Sequence, residues 1–324
     1  MTGIIQQRGV AIITALLIVA IATTISISIS TRLQLDVRRT GNVIAGDQAY
    51  LYTLAAENWS QRILQQDRKD SEIDHLGEDW AIELPPLPVE GGYIQGRLTD
   101  LQSCFNVNTL LDDGTDTNAD NNADNNAVTG TKLARTRLER LLTNLKIDKS
   151  YAEAIIDWID SDLQTTIPDG AEDVYYMNLD QPYRTANTPL QSISELRLIK
   201  GFEDPLVYAT VLPHVCAFGV NTPINVNTAT IEVLRSLADG LTDSDIEKII
   251  QQRSETAFNK VSEFISSSNL DKQSISTEGL SVDTEYFMLQ TESTIGQVRV
   301  LTYSIIHRDI DGNTTVVARS QGVI

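Results

Sequence analysis

No charged residue occurs between Val10 and Ser30. A helix rises about 1.5 Å per residue, so about 20 apolar residues cross a hydrocarbon layer roughly 30 Å thick. The run is too long for the core of an ordinary signal peptide, and no small-residue cleavage site closes it. It predicts a membrane tether at the extreme N-terminus. A plain anchor accounts for the run alone. Two details ask for more: the polar lead is very short and ends in Arg8-Gly9, and the run passes without a Pro or Gly break into an amphipathic continuation. Ala49, Ala56, Trp59 and Ile63 recur there at helical spacing, which predicts helix over 41–66.

At 324 residues the chain is long enough for two compact domains. Its formal net charge is -19, with 44 acidic against 25 basic residues. That balance argues against a nucleic-acid partner, whose phosphates are bound by Lys and Arg. It leaves many carboxylates for hard cations such as calcium. The two cysteines are Cys104 and Cys216. In an oxidising compartment they are expected to pair and close a loop of about 110 residues, worth ~4 kcal/mol in the chain-entropy model. Two buried free thiols are the alternative. Arg32, Arg38 and Arg39 follow the apolar run while Arg8 precedes it, and Asp36 offsets the cluster only in part. By the positive-inside tendency this would place the body of the protein in the cytoplasm.

Further along, Leu84-Pro-Pro-Leu-Pro88 stops any helix, and 91–98 alternates apolar and polar residues as a strand does. The Asn/Asp-rich stretch 112–126 cannot bury apolar surface and is expected to be a solvated loop. Helical spacing then predicts helices over 135–145, 151–158, 194–199, 230–237, 244–252 and 261–265. After about residue 280 the period becomes two, with strands over 286–291, 297–306 and 314–319 and an Asp311-Gly312-Asn313 turn between the last two. The simplest account of this order is an α+β fold. An antiparallel sheet packs on the N-terminal helix, and a helical block is inserted between its strands.

The most specific motif is Asp157-Trp-Ile-Asp160-Ser-Asp162, followed by Ile167-Pro-Asp169-Gly-Ala-Glu172-Asp173. A short helix ends in a carboxylate-rich loop that Pro168 and Gly170 bend back. Calcium takes six to eight oxygens from carboxylates and carbonyls. Asp160, Asp162, Glu172 and Asp173 are the candidate ligands, with Asp169 and Asn187 in reserve. Spacing alone fits a solvated acidic loop equally well. A second motif, Ile224-Asn-Val-Asn-Thr-Ala229, resembles the start of the helix-hairpin-helix of DNA-binding proteins. Its hairpin carries Asp239, Asp243 and Asp245, with only Lys248 and Arg253 nearby, which is the wrong charge for a phosphate. Phe105-Asn-Val-Asn-Thr109 echoes it, which suggests related two-helix units whose Asn residues cap the following helices. Catalysis finds little support: the three histidines are scattered, and no nucleophile elbow or phosphate loop is present.

The short lead ending in Arg8-Gly9 resembles the leader of the type IV pilin and type II secretion pseudopilin superfamily. That resemblance implies cleavage after Gly9 by a prepilin peptidase, leaving Val10 as a methylated first residue. Most of the superfamily carries Glu at the fifth residue after the cut, where this chain has Thr14. A carboxylate in lipid is costly unless paired, and in the family it pairs with a neighbouring subunit's amine. The K-type minor pseudopilins of type II secretion (GspK) lack it and sit at the tip. The acidic motif, Pro182-Tyr183-Arg184-Thr-Ala-Asn187-Thr-Pro-Leu190 and Ser194-Glu195-Leu196 resemble the signature stretch of that same family.

The resemblance implies a leader at 1–9, an N-terminal helix over 10–66 with 10–30 in the inner membrane, and a pilin-like α+β domain from 67–105 and 280–324. Between these lies an inserted all-α domain of helix-hairpin-helix or SAM-like type over 106–279, which binds calcium and faces the periplasm. The implied partners are the I- and J-type minor pseudopilins, the major pseudopilin, the inner-membrane secretion platform and the prepilin peptidase, but no nucleic acid. Two rival readings are a minor pilin of a type IV pilus and a membrane-tethered DNA-binding protein.

Overall fold

The computed structural model describes residues 8–83, 85–111, 130–219, 222–267 and 275–322. The leader as far as Gln7 and the Asn/Asp-rich stretch 112–126 lie outside them. Helix α1 runs unbroken from Arg8 to Asp70, four residues beyond the expected 66. In its apolar part, Thr23, Thr24, Ser26 and Thr31 donate their hydroxyls to the carbonyls one turn back, at 2.7–2.9 Å. These bonds hide the polar groups inside the helix, as a hydrocarbon environment requires. From Val10 to Ile44 the helix touches little else in the chain and stays exposed.

The second half of α1 lies on a five-stranded antiparallel sheet. Its strands are β1 (Leu87–Val89), β2 (Gly92–Asp100), β7 (Tyr286–Ile295), β8 (Val298–Arg308) and β9 (Thr314–Gln321), in the order β1-β2-β7-β8-β9. The expected strand over 286–291 continues to Ile295, where Gly296 at φ +58 turns the chain tightly into β8. Burial alternates along β7 and β8, so one face points at α1. Two apolar clusters form there, Leu64 with Trp80, Leu98, Phe287 and Ile306, and Ala49 with Ile295 and Val300. Between them the interface is polar. Glu57 is buried and accepts from Arg319 at 2.6 and 2.9 Å and from Ser304 at 2.6 Å.

The chain leaves this sheet after Asp100 and re-joins it at Tyr286, and Asp100 and Phe287 are direct register partners. The inserted block is expected over 106–279; in the fold the excursion runs from Leu101 to Glu285. It contains β3 (Phe105–Asn106), α2 (Gly130–Asn144), α3 (Tyr151–Ile159), α4 (Asp173–Tyr176), α5 (Pro205–Val211), β4 (Val215–Cys216), β5 (Ile224–Asn225), α6 (Ile231–Ser236), α7 (Asp243–Glu255), α8 (Val261–Ser267) and β6 (Leu280–Ser281). It has its own apolar core, built on Leu138, Leu141 and Leu142 of α2, Ile155 and Trp158 of α3, and Leu234 of α6. Two helices, α4 and α5, were not expected. The helix expected over 194–199 is a 3-10 turn at Ile193–Leu198, closed by a Ser192/Glu195 capping box.

The two Asn-Val-Asn motifs play equivalent structural parts, and the expected capping is met by Asn106, which N-caps the 3-10 turn Val107–Leu110. Each opens with a short parallel strand pair, β3 with β4 and β5 with β6. The first Asn of each accepts from the backbone N–H two residues on. The second does not cap a helix. Asn108 clamps Leu190, accepting its N–H at 2.9 Å and donating to its carbonyl at 3.0 Å. Asn227 does the same to Phe258, at 2.9 and 3.0 Å. Beside β3 and β4, Cys104 and Cys216 form a disulfide with Cα atoms 5.9 Å apart.

A buried polar joint ties the excursion to the sheet. Arg308, at the end of β8, donates to Asp74 at 2.5 and 2.6 Å, to Asp67 at 2.8 Å and to the carbonyls of Leu64 and Thr284. Asn225 donates to the Asp74 carbonyl at 3.0 Å and to Asp100 at 3.2 Å. Burial pushes the Asp100 carboxyl up to about 6, against the pull of its Thr228, Thr284 and Gln102 donors. Replacing Arg308 with Met would leave two carboxylates buried without their cation, at a cost of about 3–5 kcal/mol. Thermal unfolding of the full chain in detergent should then fall by roughly 6–20 °C at 2–4 °C per kcal/mol.

Candidate metal centre

Helix α3 ends at Ile159, and the backbone of Asp160 after it is already extended. Asp157 sits in its last turn, fully buried, and one helical turn separates it from Asp160, so both carboxylates leave the same face. The chain then loops out and back. The N–H of Thr166 donates to both Asp157 oxygens at 3.1 Å, and Gly170 closes the loop by donating to the Thr166 carbonyl at 2.8 Å. A Cβ on Gly170 would collide with the Asp157 carboxylate and the Thr166 backbone, so this approach needs glycine. The return brings Glu172, only 2% exposed, onto the same spot. Oxygens of Asp157, Asp160 and Glu172 lie within 4.8 Å of one another.

Three carboxylates so placed repel. The Glu172 carboxyl is pushed up to about 7, by burial first and then by the charges on Asp157 and Asp160. Burial also raises Asp160. Glu172 Oε1 and Asn187 Oδ1 are buried without a hydrogen-bond donor. Asn187 is held at φ +47, its N–H on the Trp158 carbonyl at 3.0 Å and its amide on the Asp162 carbonyl at 3.4 Å. Its orphan oxygen is therefore fixed beside the acidic loop. Three clustered carboxylates with two buried oxygens that lack donors are chemistry that suits a calcium ion.

Of the four expected ligands, the fold gathers Asp160 and Glu172 and turns the other two away. Asp162 is exposed and accepts from its own loop, the Gln164 N–H, at 2.6 Å. Asp173 accepts from Thr185 N–H and hydroxyl at 3.1 and 3.0 Å. Of the two reserves, Asp169 is paired with Lys200 at 2.6 Å, while Asn187 Oδ1 is buried without a donor. Asp157, which the fold adds to the cluster, was not among the expected residues, although its i, i+3 relation to Asp160 was legible. A second acidic group, Asp67, Asp74 and Glu78, already has its cation in the Arg308 guanidinium.

The hairpin between α6 and α7 turns at Gly240, φ +84. The first N–H groups of α7 are closed by a Thr242/Asp245 capping box, and Asp239 and Asp243 pair with Arg140 and Arg235. Arg253 points inward, donating to the Val226 and Ala229 carbonyls at 3.1 and 2.8 Å. The hairpin carries carboxylates where a phosphate would sit, and its nearby cations are engaged: Arg140, Arg235 and Lys248 by those carboxylates and Arg253 by backbone carbonyls.

The family description "Type II secretion system (T2SS), protein K" fits residues 103–220 and again 224–283. The protein K of Aeromonas hydrophila is 32% identical over 98% of this chain and 98% of its own length. The chain belongs to the type II secretion system protein K family. The protein K of Klebsiella pneumoniae is also 32% identical, over 98% of this chain and 97% of its own. Among solved structures, the GspK-GspI-GspJ complex of the enterotoxigenic Escherichia coli type 2 secretion system contains a chain that matches with TM-score 0.74 and 27% identity. The match covers 88% of this chain and all of that chain. The fold is thus the expected pilin-like α+β one with a large helical insertion. The acidic centre lies inside the first family segment.

Gly170→Ala should cost about 1–3 kcal/mol by crowding Asp157, visible as a lower unfolding temperature in EDTA.

Proposed function

We propose that this member of the protein K family is a minor pseudopilin that caps the periplasmic tip of the type II secretion pseudopilus and promotes its assembly, and with it protein export across the outer membrane. One observation carries the reading. Helix α1 leaves its Val10–Ile44 surface free of the rest of the chain, while its second half is seated on the sheet. A helix so divided is suited to sit in the inner membrane and later to bundle with the helices of other subunits. Thr14, in place of a lipid-buried carboxylate, removes the group a repeating shaft uses to engage its next subunit. The bulky insertion is tolerated at a tip and would obstruct a shaft. The leader reading follows, with cleavage after Gly9 leaving Val10 first. Membership of the protein K family sets the type IV pilus reading aside.

The proposed partners are the I- and J-type pseudopilins, since the solved relative is part of a GspK-GspI-GspJ complex. Co-expression of the full chain with both should yield a ternary complex from detergent. A cell lacking the chain should retain its secreted proteins in the periplasm. Normal secretion without it would refute the role.

Within the insertion, the calcium ion proposed for this site would be held by Asp157, Asp160 and Glu172, with Asn187 Oδ1. It would neutralise their mutual repulsion and pin the loop. At one hundred times its dissociation constant it stabilises the fold by about 2.7 kcal/mol, which is roughly 5–10 °C of unfolding temperature. Magnesium, smaller and reluctant to dehydrate, should give much less. Glu172→Gln should abolish the calcium shift yet raise the unfolding temperature in EDTA, because one of three crowded charges is gone. Asp162→Asn should keep the shift.

A further inference from the structure

The insertion holds a partly enclosed cavity of about 130 Å³ where β3 and β5 meet the start of α2. Phe105, Leu133 and Ile224 give it apolar walls, and Thr131, Arg137 and Glu278 line it with polar groups. Arg137 lies in the middle of α2 and is only 4% exposed. Among the described residues its guanidinium makes one hydrogen bond, from Nη2 to the Ser276 carbonyl at 3.2 Å, and Nε has no acceptor. Burial pushes the guanidinium down to about 10, and the charge on Glu278 acts against that. A buried cation with so few partners is costly. Glu278 is the second charge on the cavity. Its Oε1 stands 2.9 Å from where a Cβ of Gly130 would lie, at the first residue of α2, and the helix dipole favours an anion there. Gly130 and Arg137 are two helical turns apart on one face. Among the described residues, neither Arg137 nor Glu278 has an ion-pair partner within 4.0 Å, so both charges border the cavity without pairing to each other.

Charge and size specify the ligand. A dianion such as phosphate meets repulsion from Glu278 and from a chain of net charge -19. A metal ion is repelled by Arg137. A neutral apolar molecule leaves the guanidinium without acceptors. A cavity of about 150 Å³ takes benzene, so this one has room for a molecule of about six heavy atoms. A small zwitterion answers both charges at once. A carboxylate matches the arginine fork with two parallel hydrogen bonds, and an ammonium matches Glu278. We propose that this cavity binds a small free amino acid of the size of alanine, its carboxylate on Arg137 and its ammonium toward Glu278. Its methyl group packs against Phe105 and Ile224. Gly279, at φ +64, belongs to the same arrangement: a Cβ there would stand 3.0 Å from Arg137 Nη1 and press on the fork. The cavity shares no residue with the acidic centre, and the proposal is independent of the tip and calcium readings.

The test is equilibrium dialysis of the full chain in detergent against radiolabelled L-alanine. Alanine should bind once per chain, with a dissociation constant of about 1 mM or tighter. Acetate and methylamine each carry one of the two charges, and each should compete at least about tenfold more weakly. Arg137→Lys keeps the charge but loses the fork, and should weaken alanine binding about tenfold or more. Glu278→Gln, at an exposed position, should weaken it about as much without lowering the unfolding temperature. Glu247→Gln, on the exposed side of α7, should bind as the parent. If alanine at about 10 mM does not bind, ordered water alone serves Arg137 and the proposal is overturned. It is overturned equally if acetate competes as strongly as alanine, or if Glu278→Gln binds alanine as the parent does.

Discussion

Arg308 donates from one planar fork to the end of α1, to the segment after it and to the stretch entering β7. Desolvating a guanidinium and two carboxylates is expensive, and the hydrogen bonds made here offset that cost rather than exceed it by much. What the arrangement supplies is direction. The donors of arginine are rigidly disposed, so α1, the sheet and the returning chain are fixed relative to one another in a single way. Asn225 and Thr284 extend the network to Asp100, where the excursion begins. A small apolar cluster, Leu101, Cys216 and Phe218 against Met288 and Ile305, also crosses the joint, and the polar contacts add direction to it.

The elements that follow local rules were legible in the sequence. Charge-free residues and 3.6-residue spacing located α1, and alternation located β2, β7, β8 and β9. The Leu138, Leu141, Leu142 stripe located α2. What escaped depends on partners distant in sequence. Nothing around Asn108 or Asn227 tells that they grip Leu190 and Phe258. The two-residue strands β3 to β6 exist only because chain segments far apart run side by side.

The acidic centre shows the same division within one motif. The sequence showed that a helix end and a Pro-Gly bend bring two groups of carboxylates together. It did not show which of them face inward. Asp162 follows the helix end by two residues and is absorbed by its own turn, as Asp side chains often are. Asp173 opens α4 and is claimed by Thr185. Asp157 is drawn in because Gly170 leaves room for its carboxylate against the loop backbone. Local hydrogen bonding thus sorts chemically equivalent residues into those that are satisfied and those left with oxygen to offer.

Because Asp100 and Phe287 face each other across a hydrogen-bonded ladder, everything between them departs and comes home at a single rung. To the sheet, the whole helical excursion is topologically a loop. Lengthening, shortening or rebuilding it leaves strand order and register untouched, provided the rung is kept. Such a site is where a lineage can acquire, exchange or enlarge a head without redesigning the stalk beneath, and the two halves can then evolve at different speeds.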